Sequence, residues 1–157
     1  MARSISFCLP LALLLVGCKA TPPSTAEVAV AQWTKHHVTI GGRHDRNPLK
    51  ASAENIADGQ QAFTSYCSVC HGKDGQNTGV PFAATVSPPV PLLTSTHVQS
   101  YTDGQLKWII EYGIYPSGMP PAKGQFSDED MWQLVLYIRH LPPAGSLGDP
   151  VAYGGKP

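Results

Sequence analysis

Neither sign of charge prevails in this chain: 11 basic residues meet 11 acidic ones among 157. The basic excess that would grip a nucleic-acid backbone is missing, which excludes DNA and RNA as partners. Cysteine is scarce, at four residues. Cys8 and Cys18 stand far upstream, so no second pair follows Cys67 and Cys70 to complete a finger-like zinc site. A long apolar run is also missing. Ile5 to Val16 is almost wholly apolar but falls short of the roughly 20 residues that cross a bilayer as a helix. There are no internal repeats, no flavin or quinone motif, and aromatics are modest at 8%. Gly and Pro are plentiful instead, at 15 each, so turns and loops make up much of the chain.

Against these absences stands one run, Cys67-Ser68-Val69-Cys70-His71. Two cysteines about a helical turn apart, followed at once by histidine, form the attachment signature of a c-type haem. Each thiol adds to one porphyrin vinyl, and the histidine supplies an axial nitrogen to the iron. A redox dithiol would need a surrounding βαβ pattern. A Cys67–Cys70 disulfide would leave His71 without a purpose.

A six-coordinate haem needs a second axial ligand, and Met119 is placed to give it. It lies in Tyr115-Pro116-Ser117-Gly118-Met119-Pro120-Pro121, a stiff loop that exposes the thioether. Thioether ligation raises the reduction potential relative to a second histidine. Met131 reads as a core residue, His97 as a rival ligand and His140 as a helix-end surface residue. The His71 Nδ1–H needs a carbonyl acceptor, and the loop at Gly79 and Pro81 is positioned to offer one. Tyr101, Trp108, Lys107 and Arg139 are candidates for the haem propionates by residue type, and Trp108 serves equally well as packing.

The N-terminus is an address. Arg3 and the short apolar run form a signal peptide over 1–17. Leu15-Val16-Gly17-Cys18 resembles a bacterial lipobox, in which Cys18 is lipidated and becomes the first mature residue. Acyl chains there would anchor the protein to a membrane. Lys19 stands where an inner-membrane retention signal would place Asp, which points to the outer membrane. Residues 18–52 read as a tether, with a short helix at Glu27 to Trp33, an extended piece at His37 to Ile40, and Trp33 and Ile40 packing onto the domain. His36, His37 and His44 read as a solvated polar stretch rather than a metal site.

The domain spans 53–143, with a flexible tail over 144–157. Its first helix runs from Ala53 to Cys70 with Ser52 as N-cap. Prolines at 81, 88, 89 and 91 predict an irregular loop from Gly72 to Tyr101. A second helix covers Thr102 to Tyr112, capped by Thr102 with Gln105 and stopped by Gly113. The last begins at Ser127, carries three acids in its first turn, and ends at Leu141.

Together these residues resemble the monohaem class I cytochromes c of bacteria. The likeness covers Ile56 to Leu141. It implies an all-α fold, about three main helices and long loops around one covalent haem c. It also implies that Gly59 lets the first and last helices cross closely, with Phe63 and Tyr137 packed at the crossing. The implied function is one-electron transfer by a membrane-anchored, periplasm-facing carrier to redox partners of a respiratory chain. No small-molecule substrate follows, because both axial positions are filled. Alternatives are a haem subunit within a larger dehydrogenase or oxidase, and a haem-based redox or gas sensor.

Overall fold

The computed structural model describes residues 23–115, 117–143 and 145–147. Cys8, Cys18, the signal run and most of the C-terminal tail therefore lie outside the described residues. The chain divides into two compact units, one ending at Gln32 and one starting at Trp33. Helix α1 (Thr25–Thr34) has no buried residue. Its start is fixed by Glu27, whose carboxylate accepts from the Ser24 amide at 2.7 Å and the Ser24 hydroxyl at 2.8 Å.

In the second unit, α2 (Ala53–Ala62) continues through a π-helical turn (Phe63–Cys67) into α3 (Ser68–His71). The expected single helix is thus present, with a wider turn just before the cysteine pair. Short α4 (Thr96–Gln99) leads to α5 (Asp103–Tyr112), and α6 (Asp128–Arg139) completes the set. No strand occurs among the described residues, and the fold is all-α.

Capping sets the boundaries of the two longest-buried helices. Thr102 and Gln105 form a reciprocal capping box on α5, and Ser127 and Asp130 do the same on α6. Ser52 caps α2 by accepting from the Asn55 amide. Eight consecutive residues of α6, Met131 to Ile138, are buried, so this helix is the central pillar of the core.

The crossing of α2 and α6 is closer than any side chain would permit. A methyl group built on Gly59 would meet the Gln133 carbonyl oxygen at 2.1 Å and the Tyr137 Cβ at 3.1 Å. Phe63 and Tyr137 pack beside it with ring centroids 5.2 Å apart. The close crossing implied by the resemblance is found.

Three local expectations are corrected. His37 to Ile40 is not extended: Lys35–Thr39 forms a π-helical turn closed by the Ile40 amide on the Lys35 carbonyl, and only Ile40 is extended. The proline-rich loop is not wholly irregular either. Pro81 opens a 3-10 turn (Pro81–Ala84) at a position that needs no N–H, and Ser95 caps α4. Finally, more of residues 33–52 packs on the domain than the expected Ile40. Ile40 and Leu49 pack on the core, and Asn47 donates to the Trp132 carbonyl at 3.0 Å. Gly41 and Gly42 make this possible by lying flat against α5. A Cβ on Gly41 would strike the Trp108 ring at 2.5 Å, and one on Gly42 the Gly104 carbonyl at 2.3 Å. Trp33 stays exposed and stacks on His37 at 4.7 Å.

Candidate functional site

The end of the α2–α3 run sets out the cysteine pair. Cys67 is half-buried against the core, and both sulfurs are free thiols. Burial, reinforced by Cys70, pushes the Cys67 thiol up to about 12. Redox and nucleophilic cysteines work through a lowered pKa, and Cys67 is shifted the other way.

His71 closes the run. Burial lowers its imidazole to about 4, against the opposing pull of the Pro91 carbonyl. It is therefore neutral at physiological pH, the form in which a ring nitrogen has a lone pair to give. Its Nδ1 is buried without a completed hydrogen bond. The backbone oxygen that acts on this ring belongs to Pro91, not to Gly79 or Pro81. Gly79 is exposed, with open space around its Cα, and Pro81 begins the 3-10 turn.

Sequence reasoning missed the residues that bring Pro91 there. Asp74 is fully buried and accepts from the Gln76 amide at 2.9 Å and the Thr78 hydroxyl at 2.6 Å. Asn77 is also fully buried, in a left-handed conformation, and donates from Nδ2 to the Val90 carbonyl at 2.9 Å. The Asn77 amide donates to the His71 carbonyl at 2.8 Å, and the Leu93 amide to the Gly75 carbonyl at 2.7 Å. The far arm of the loop is thereby sewn to the segment that follows His71. The available signal was Asp74 and Asn77 among glycines, a pattern for side chains that bind nearby backbone.

Met119 lies on the loop that follows α5. Gly113 ends that helix at φ +69, and a Cβ there would meet the Met119 carbonyl at 2.5 Å. The Ile114 amide donates to the same carbonyl at 3.2 Å, and the Ala122 amide returns to the Ile110 carbonyl at 2.9 Å. The loop is a closed clamp on the helix end. Met119 is half-buried and packs on the same apolar cluster as Cys67, whereas Met131 is buried inside that cluster.

The other named residues are engaged elsewhere. Arg139 donates to Asp103, to the Gln99 side chain and carbonyl, and to the Tyr101 carbonyl. Its guanidinium clamps the end of α6 to the start of α5 rather than standing free for a propionate. Lys107 is paired with Glu111 at 2.8 Å and Asp128 at 2.6 Å. Trp108 packs on Gly41 and lies 5.2 Å from Tyr112. Tyr101 stacks on His36 at 4.1 Å, and His97 meets the edge of that stack. His36 is accordingly half-buried, not merely solvated. His140 turns its Nδ1 to the Leu136 carbonyl at 2.7 Å, as a helix-end residue.

Among the described residues, no group of three or more His, Cys, Asp or Glu side chains converges to hold a metal. A covalently attached macrocycle brings most of its own metal ligands and asks few of the protein. Two free thiols beside a neutral, buried histidine fit such a group, and so does a methionine held on a clamped loop.

A search of curated proteins finds no match to the chain. A family model described as cytochrome c oxidase, cbb3-type, subunit III matches residues 54–138. The match covers more than half of the sequence, and it takes in the cysteine pair, His71, Met119 and the α2–α6 crossing. The chain belongs to this family and is a c-type cytochrome, an electron carrier.

Proposed function

We propose that this protein holds one haem c through Cys67 and Cys70, with His71 and Met119 as axial ligands, and serves as a periplasm-facing carrier on a bacterial membrane. When bound, the haem takes up and releases one electron at a time. The observation that carries the reading is the neutral, buried His71 immediately behind two unpaired thiols.

The chain's own contribution is positioning. The Pro91 carbonyl stands by the His71 ring, where it would accept from Nδ1–H and fix the orientation of the ligand nitrogen. Asn77 ties the neighbouring Val90 carbonyl to the segment after His71, and Asp74 braces the turn that carries Asn77. The clamp at Gly113 presents Met119 without a searching loop, which lowers the entropy lost when the sulfur binds. With both axial positions taken, no site is left for a substrate, and the protein acts as a carrier rather than as an enzyme. Cys18, in its lipobox-like setting, would supply the membrane anchor.

The experiment is visible spectroscopy of the matured protein and of Met119→Ala. The intact oxidised protein should show the weak long-wavelength band of methionine-ligated iron, and the variant should lose it and admit carbon monoxide. An unchanged spectrum in the variant would refute the methionine assignment.

The family description favours a second reading, a haem subunit of a respiratory oxidase. Membrane solubilisation followed by affinity purification separates the two. A stoichiometric catalytic partner supports the subunit, and recovery of the cytochrome alone supports the free carrier.

A further inference from the structure

The balanced total charge conceals a segregation. Residues 33–52 carry Lys35, Arg43, Arg46 and Lys50 against Asp45 alone, a net charge of +3. Residues 53–143 carry four cations against eight anions, a net charge of −4. The four cations of the strap are exposed. No ion pair takes up any of them among the described residues, whereas Lys107, Lys123 and Arg139 of the helical domain are all paired.

The strap also exposes apolar surface. Trp33 is 59% exposed just before the π-helical turn Lys35–Thr39, and Val38, within that turn, is 68% exposed. Arg43 lies near His36, and Lys35 near His97. Burial lowers the pKa of both imidazoles, with His37 and Arg43 adding to the effect on His36, and Lys35 and His36 to that on His97. The patch therefore draws its fixed charge from lysine and arginine. Its backbone is firmly seated, through Gly41, Gly42, the Gln105 side chain on the His36 carbonyl at 2.7 Å, and the Thr102 hydroxyl on the Arg43 carbonyl at 3.2 Å.

We infer that the strap of residues 33–50 is a docking surface for an anionic phospholipid bilayer, with Trp33 and Val38 entering the interface and Lys35, Arg43, Arg46 and Lys50 meeting the headgroups. Unpaired cations beside an exposed tryptophan suit the interface, where the ring sits at headgroup depth. Each cation near an anionic leaflet strengthens binding about fivefold. The attraction does not depend on acylation of Cys18, although an anchor there would deliver the strap to the bilayer. Lying on the strap would also turn the acidic domain away from the lipid.

The test uses the full haem-loaded chain with Cys18→Ser, so that no acyl chain contributes. Co-sedimentation is measured with vesicles of phosphatidylcholine alone and with added phosphatidylglycerol, at low and high salt. Binding should appear on the anionic vesicles, weaken with salt, and fall about a hundredfold or more when Lys35, Arg43, Arg46 and Lys50 are all changed to Gln. Trp33→Ala should weaken binding while leaving its salt dependence in place. An unchanged haem spectrum in each variant shows that the fold is intact. Equal binding to neutral and anionic vesicles, or undiminished binding by the four-Gln variant, would overturn the proposal. So would failure to bind lipid alongside binding to an acidic protein.

Discussion

Burial gives the same residue types different roles here. Cys67 and His71 are pushed by desolvation in opposite directions, the thiol upward and the imidazole downward, and both are therefore uncharged at neutral pH. The two methionines divide by context: Met131 fills the core, while Met119 lies on a clamped loop. The cysteine pair, His71 and Met119 could be put forward from the sequence because the chemistry proposed for them constrains spacing and flanking residues. Pro91 was not, because its role depends on how a loop folds back. Asp74 shows the cost of losing such a tie. Asp74→Ala leaves a buried amide and hydroxyl without their acceptor, and should destabilise by about 1–3 kcal/mol. If it also holds Pro91 in place, the potential should shift in the same variant. Chemical unfolding and redox titration of the matured protein check both outcomes, and a wild-type midpoint with a wild-type potential would refute the role.

Helices were the most readable level, since their signals are local. Thr102 with Gln105 marks one N-terminus through a capping box, and Ser127 with the acids behind it marks another. The structure closes the first box and shows a second between Ser127 and Asp130. The π-helical turns at Lys35–Thr39 and Phe63–Cys67 had no such mark, because they answer to packing rather than to propensity. Gly59 sets the crossing of α2 and α6. Gly59→Ala presses a methyl group onto the Gln133 backbone and should cost about 3 kcal/mol or more, read as a lowered unfolding midpoint. The Lys107 cluster braces α5 to α6 at the base of α6. Burial opposes its charge, but the hydrogen bonds to Asp128 and Glu111 outweigh it and raise the Lys107 pKa. The hydrogen bond from Lys107 lowers the Glu111 pKa. The carboxylate's contribution is complete above its ordinary pKa and fades as pH falls through the depressed value. The lysine's contribution is complete below its ordinary pKa and fades as pH rises through the raised one. Lys107→Met should lower the melting temperature by about 2–5 °C at neutral pH. The deficit should shrink on acidification into the carboxylate range, and a deficit independent of pH would show that the pairs contribute nothing.

At the scale of the whole molecule, the sequence located the haem domain but understated its extent. The strap 33–52 looked like tether because it lacks a periodic apolar face, yet Gly41-Gly42 lets its backbone approach α5 more closely than a side chain would allow. Composition likewise suggested an evenly charged molecule, and only the packing of the strap showed that its cations stay unpaired beside an acidic domain. The proposed function rests on one claim, that a porphyrin is covalently fixed to Cys67 and Cys70 and held by His71 and Met119. The most direct measurement is acid–acetone extraction of the denatured, exported protein, with mass determination of the polypeptide. The account predicts that the colour stays with the chain and that the mass exceeds the apoprotein by one haem. Colour released into the solvent, or a chain of unmodified mass, would contradict it.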